Sequence, residues 1–171
     1  MPQLKVSVAE ILNRPGEYCD LDVRPAFEDV RTGLARLEAG PLDARLRAES
    51  VVEGVLVTGR VAGSTSLSCA RCLTRFEGSL ELDVCELFTT PGHELPEEEA
   101  YRVEGSEIDL EPMLRDALVL ALPLNPVCSE ACEGLCATCG KDLNEGGCEC
   151  VHDEIDPRWA ELSALRERLN G

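Results

Sequence analysis

Aromatic residues make up only 4% of this 171-residue chain, so Val and Leu must carry most of the packing in its core. Lysine is nearly absent, with Lys5 and Lys141 standing alone. Sixteen basic side chains face 33 acidic ones, a formal net charge of −17. The imbalance is uneven: residues 1–90 hold 10 basic and 14 acidic side chains, whereas residues 91–171 hold 6 and 19. The C-terminal half as a whole would repel a phosphate backbone, which disfavours independent, sequence-unspecific binding to nucleic acid. Such a surface suits solubility or a basic protein partner. No run approaches the roughly 18 apolar residues that a membrane span requires. The segment Met1 to Val6 lacks the charged region and apolar core of a secretory signal. Catalytic signatures are missing too: no Ser-His-Asp order, no phosphate loop and no H-E-x-x-H. The expectation is a reduced, cytoplasmic setting without a membrane.

What the chain does have is cysteine, ten in all. Six fall in one short stretch: Cys128, Cys132, Cys136, Cys139, Cys148 and Cys150. A further pair, Cys69 and Cys72, forms a C-x-x-C far upstream. Two cysteines at this spacing can turn both thiolates inward on one tight turn, the bite of a tetrahedral metal with Zn–S about 2.3 Å. Cys136-Ala137-Thr138-Cys139-Gly140-Lys141-Asp142-Leu143 reads as a zinc knuckle, with Gly140 freeing the backbone so that amides turn toward sulfur. In a reduced compartment, clustered cysteines point to metal rather than to disulfides. Redox work by Cys69-Ala70-Arg71-Cys72 is the competing chemistry, since Arg71 would favour a thiolate. That motif, however, lies between strand-like segments rather than at the start of a helix in a βαβ unit.

Ligand arithmetic divides the thiols in more than one way. Cys136, Cys139, Cys148 and Cys150 make one four-thiolate set. Cys128 and Cys132, four apart and able to share a helical face, would complete a second set with Cys69 and Cys72 and staple the tail to the body. The alternative is a single zinc on Cys128 or Cys132 with Cys136 and Cys139. His152 could replace a thiolate, although an exposed surface histidine is the plainer reading. Cys19 and Cys85 stand apart and read as small buried hydrophobes.

Periodicity supplies the frame. Ser7 to Glu10 has capping-box spacing and predicts a short helix to about Asn13, stopped by Pro15-Gly16. From there to Phe88 the chain reads as strand. Leu42 to Ala48 alternates apolar and charged residues, and Val51 to Val61 is interrupted by Gly54 and Gly59, which suggest bulges or close approaches. Phe76, Leu80, Leu82 and Val84 form one strand face, so the first C-x-x-C joins two strands of an antiparallel sheet. Residues 91–99 concentrate acid and predict a loop. Asp109 is the predicted N-cap of a helix whose inner face is Met113, Leu114, Ala117, Leu118 and Ala121, ended by Pro123. Asp156-Pro157 opens a last helix through about Leu169, with Trp159, Leu162, Leu165, Arg166 and Leu169 at near-helical spacing. Seven arginines, Arg31, Arg36, Arg45, Arg47, Arg60, Arg71 and Arg75, could gather on one sheet face as an RNA contact, although scattered, acid-paired arginines are the simpler reading. The fold class expected is α+β: an antiparallel β-meander or partial barrel with a few short helices and a zinc-ribbon-like module. Its division is a body over 1–122, a Cys-rich zinc-binding module over 123–153 and a C-terminal helix over 154–171.

Three features together resemble the YceD family, the large ribosomal RNA subunit accumulation proteins. They are Leu67-Ser68-Cys69-Ala70-Arg71-Cys72-Leu73, the helix from Glu107-Ile108-Asp109-Leu110 to Leu122-Pro123, and the tail from Pro126 to Cys150 followed by Ile155-Asp156-Pro157-Arg158. The resemblance implies a role in the synthesis, processing or stability of large-subunit ribosomal RNA, with no known catalytic residue. The leading expectation is therefore a zinc-stapled factor, not an enzyme, carrying one or two structural Zn²⁺. Its partner would be a precursor large subunit or a basic ribosomal protein. A zinc-ribbon adaptor in transcription or another complex is the alternative, and a thiol-redox protein using Cys69 and Cys72 ranks below both.

Overall fold

A computed structural model describes residues 4–92, 101–150 and 162 of the chain. Eight strands and one α-helix are found among them: β1 (Lys5–Ser7), β2 (Tyr18–Val23), β3 (Ala35–Leu37), β4 (Asp43–Val51), β5 (Gly54–Ser68), β6 (Arg75–Thr89), β7 (Tyr101–Arg102), β8 (Glu107–Asp109) and α1 (Leu110–Ala121), with a 3₁₀ turn at Leu143–Glu145. The class is β-dominated, and helix is a smaller share than the sequence suggested. The main sheet runs β2-β4-β5-β6-β7, while β3 pairs with the far half of β5. Neighbours are antiparallel except β6 and β7. Among the described residues the sheet is an open path with β2 and β7 at its ends, so the meander is present and barrel closure is not.

The long hairpin β5–β6 dominates the architecture. Its two 15-residue strands stay in register from Gly54↔Thr89 to Ser68↔Arg75. At the usual rise per residue each spans about 45–50 Å. The alternation in β4 is real, with Ala44, Leu46 and Ala48 buried between exposed Asp43, Arg45 and Arg47. Gly59 marks a close approach: a Cβ there would overlap the Arg45 carbonyl and the Leu46 Cα of the neighbouring strand. Helix α1 starts as expected, with the Asp109 carboxylate accepting from the Glu111 amide at 3.0 Å. It lays Leu110, Met113, Leu114 and Leu118 into a core shared with Val55, Val57, Val61, Val84 and Phe88.

The N-terminal helix expected over residues 7–13 does not form. Ser7 closes β1, paired with Glu107 of β8, so the candidate cap is committed to a strand. Residues 9–13 form turns in which Leu12 reaches back to the Val8 carbonyl at 2.9 Å, and Asn13 adopts φ 59°. Cys19 is half-buried on β2. Cys85, expected inside, is exposed on β6, because strand alternation turns it outward after buried Val84. The loop expected at 91–99 lies, beyond Gly92, outside the described residues. So do His152 and, apart from Leu162, the helix expected over 154–171. Among the described residues no helix is long and apolar enough to cross a membrane.

Candidate metal centre

The tip of the β5–β6 hairpin is the C-x-x-C segment. Between Ser68 and Arg75 the chain turns tightly, with the Leu73 amide donating to the Cys69 carbonyl and the Cys69 amide to the Thr74 carbonyl, each at 2.9 Å. Both sulfur-bearing residues face inward and are buried. The tail folds back onto this tip. Ala70 donates to the Pro126 carbonyl at 2.7 Å, and Leu135 donates to the Arg71 carbonyl at 3.1 Å. Gly134, at φ 79°, lets the tail lie against the Arg71 backbone, where a Cβ would approach its carbonyl oxygen to 3.1 Å.

This docking gathers Cys69, Cys72, Cys128 and Cys132, whose sulfurs all lie within 4.8 Å of one another. Cys69 Sγ is 3.8 Å from Cys132 Sγ, and Cys72 Sγ is 3.7 Å from Cys128 Sγ. Four sulfurs about 2.3 Å from a tetrahedral centre stand ~3.8 Å apart along each edge. The spacing therefore fits a tetrahedral ion and is far longer than a disulfide bond at about 2.0 Å. Cys128 and Cys132 do not share a helical face. They flank a turn in which Cys132 donates to the Ser129 carbonyl at 3.1 Å, and the loop rather than helical periodicity turns both thiols toward the hairpin.

The second set is Cys136, Cys139, Cys148 and Cys150, again with all sulfurs within 4.8 Å. Its knuckle is built as the glycine suggested. Gly140, at φ 72°, donates to the Cys136 carbonyl at 2.8 Å, and the Thr138 and Cys139 amides both aim at Cys136 Sγ from 3.4 Å. The Cys136 amide closes the turn on the Lys141 carbonyl at 2.8 Å. This set is more open than the first, since Cys139 is exposed and Cys148 and Cys150 are half-buried. The single-site division, with Cys128 or Cys132 joining Cys136 and Cys139, does not match this placement.

Backbone amides set the acidity of one thiol in each set. Amides of Cys128 and Cys72, with that of Arg71, draw Cys69 down to about 6. The Cys139 amide, with that of Thr138, does the same for Cys136 against the opposing effect of burial. The partner thiols Cys128 and Cys150 are pushed up to about 12, first by hydrogen bonding to Cys72 and Cys139 respectively. Each set thus holds thiolate character at neutral pH, the form a metal ligates.

Two residues hold the tail in place in ways that spacing alone did not reveal. The Arg71 guanidinium donates to the Glu130 and Cys132 carbonyls at 3.1 and 2.8 Å, locking the tail rather than activating a thiolate. Asn144, in the loop of the second set, donates to Cys132 Sγ of the first at 3.5 Å and accepts from the Glu133 amide at 2.9 Å. The signal for Asn144 was its place just after Cys-x-x-Cys-Gly-Lys-Asp-Leu; nothing in the spacing said which sulfur it would meet.

Fold and site together define a β-hairpin protein with a Cys-rich tail docked on the hairpin tip through clustered thiols. A model of the family described as large ribosomal RNA subunit accumulation protein YceD matches residues 57–166, and the chain belongs to this family. The chain is 41% identical over 167 residues to an uncharacterized protein of Mycobacterium tuberculosis, covering 93% of this chain and 79% of that one. It is 28% identical over 146 residues to the chloroplastic large ribosomal RNA subunit accumulation protein YCED homolog 1 of Arabidopsis thaliana, covering 73% of this chain and 46% of that one. An uncharacterized protein of Bacillus subtilis is 27% identical over 127 residues, covering 73% of this chain and 74% of its own length. No solved structure matches.

Proposed function

We propose that this chain is a non-catalytic, zinc-binding factor of ribosome biogenesis that acts in the cytoplasm and supports the synthesis, processing or stability of large-subunit ribosomal RNA. The observation that carries the zinc reading is the pair of four-sulfur sets, with edges of 3.7 and 3.8 Å measured in the first. Cys69, Cys72, Cys128 and Cys132 would hold one Zn²⁺, and Cys136, Cys139, Cys148 and Cys150 a second. Bound there, the ion supplies structure: four thiolates leave no open position for a substrate or water.

The same acidity of Cys69 would serve thiol-redox catalysis, but Cys69 has 0% exposure, which supports ligation over attack on a partner. The ribosomal role rests on the family and on the accumulation function in the name of the Arabidopsis relative. The −17 charge supports a basic ribosomal protein within a precursor large subunit as the partner.

Elemental analysis with native mass spectrometry, on protein purified without chelator, tests the metal, and two zincs per chain are expected. Metal-free protein with oxidised thiols would return the sites to disulfide or redox chemistry. Depletion of the protein should lower large-subunit relative to small-subunit ribosomal RNA, and the protein should co-sediment with precursor large subunits. An unchanged RNA ratio would sink the biogenesis reading.

A further inference from the structure

Of the nine arginines in residues 1–90, the seven named above do not act alike. Arg47 bonds Asp20 at 2.8 Å and lies 4.1 Å over the Tyr18 ring. Arg60 sits between Glu81 at 3.1 Å and Asp83 at 3.2 Å. Arg45 stands in register between Asp22 and Arg60, and Arg71 is spent on tail carbonyls. The remaining three, Arg31, Arg36 and Arg75, line a single groove of about 320 Å³ beside the hairpin tip.

The strand register holds these three together. A turn through Thr32 and Ala35 places Arg31 opposite Arg36 across an antiparallel bridge. Arg36 is in register with Ser66 on β5, and Ser68, two residues on, with Arg75 on β6. Like charges placed directly opposite one another cost stability, and this pair has little to offset it. Arg31 has only Asp29, at 3.7 Å between two well-exposed side chains. Arg36 and Arg75 have no ion-pair partner among the described residues. The groove's other polar side chains are the hydroxyls of Thr32, Ser66 and Ser68, and no carboxylate lines it. Glu77, in register with Ser66 on its far side, lies outside the lining. In a chain with twice as many acids as bases, three guanidinium groups around a groove without carboxylates form a local reversal of charge.

We infer that this groove binds the phosphodiester backbone of RNA. Guanidinium forks match phosphate oxygens bidentately, and serine and threonine hydroxyls are among the usual donors to nucleic-acid backbones. Leu34 and Ala35 are the only apolar side chains in the lining, too few to seat the side chains of a peptide. With no aromatic ring to stack a base, the groove would grip the backbone without reading sequence. The inference rests on the ribosomal-RNA reading above and deepens it. Acid elsewhere on the chain prevents adhesion to RNA at large, while this groove supplies one local contact. It lies where Ser68 and Arg75 flank the Cys69–Cys72 knuckle, so the first four-sulfur set would hold the hairpin end that carries it.

The test uses the full chain, purified with its metal and carrying ¹⁵N-labelled arginine, titrated with hexauridylate at low salt while the Nε–Hε signals are followed by NMR. Signals of Arg31, Arg36 and Arg75 should move, and those of Arg47 and Arg60 should stay. The double substitution Arg36→Gln, Arg75→Gln should weaken binding about tenfold and lower the salt-dependence slope by roughly 2. The control Arg47→Gln, Arg60→Gln should change neither. Absent shifts, shifts centred on other arginines, or an unaltered slope in the first double variant would overturn the inference. Equal response to inorganic phosphate at the same phosphate concentration would make the groove a small-anion site, and equal response to polyglutamate a peptide site; either result overturns RNA binding. Depletion separates this from the parent reading. If the first double variant fully restores large-subunit RNA in depleted cells, the groove inference fails while the biogenesis role stands. If depletion leaves that RNA unchanged, the role itself fails.

Discussion

Single atoms decide much of this molecule. Cys136 receives two backbone amides on its sulfur, whereas Cys72 faces Cys128 across the gap between hairpin and tail. Their loss should therefore be felt in different places. Cys136→Ser is expected to speed amide exchange through 134–148 and leave residues 43–66 protected; unaltered exchange in that loop would contradict a structural metal there. Cys72→Ser should instead loosen the hairpin tip and free the tail near 126–135. At Gly59 the constraint is steric, since an added Cβ meets strand backbone that cannot swing aside. Gly59→Ala should lose about 3 kcal/mol in urea titration, while Gly40→Ala, with nothing within 4 Å, should stay within about 0.5 kcal/mol of the parent. Two thiol pairs, Cys69 with Cys72 and Cys136 with Cys139, were legible from their i, i+3 spacing, whereas the spacing allowed both a division into two fours and a single site. The bonds from Arg71 and Asn144 were not legible, because they depend on which loop faces which after docking.

Among the elements, strands β4 and β6 were legible because period-two alternation follows directly from one buried sheet face, whereas β5, read only as an interrupted Val51 to Val61, runs unbroken from Gly54 to Ser68. Helix α1 was legible from its cap and apolar stripe. The failure at residues 7–13 has a definite cause: local capping-box spacing competes with pairing between Lys5–Ser7 and Glu107–Asp109, about a hundred residues apart. Long-range pairing leaves no local trace in sequence. Strand β7 was missed for a similar reason, being two residues long and held by parallel pairing to β6. Tyr101 on that strand packs its ring 5.4 Å from Phe88 and donates its hydroxyl to Asp116 of α1 at 2.8 Å. Burial first, then Asp116, raises its pKa. An unfolded tyrosine ionises near pH ~10, before the folded one, so this contact stabilises the fold below that pH and is lost above it. Tyr101→Phe should cost about 1 kcal/mol at neutral pH and show a smaller fall in stability than the parent from pH 9 to 11, read by denaturant midpoint.

For the molecule as a whole, two clusters of buried apolar side chains are found among the described residues, and Phe76 packs against both. The large one joins α1 to the sheet, and the small one gathers Cys69, Cys72 and Cys132 against Phe76 and Leu135. A core of that second size cannot hold a loop-rich segment by apolar burial, which is why such modules depend on metal. With zinc held as proposed above, a strong chelator should therefore unfold residues 126–150 and fray the hairpin tip while the α1-bearing core persists. Thermal unfolding would then show two transitions, and one coincident transition by far-ultraviolet and tryptophan-independent probes would contradict this separation.

The first four-sulfur set has a consequence in time as well as in space. Cys72 and Cys128 are 56 positions apart, and Cys69 and Cys132 are 63 apart. A chain emerging at about 5–20 residues per second needs roughly 3–11 s to deliver the second pair after the first. Through that interval the newborn hairpin carries two inward-facing thiols without their partners. The tip is thus begun early in synthesis and sealed late.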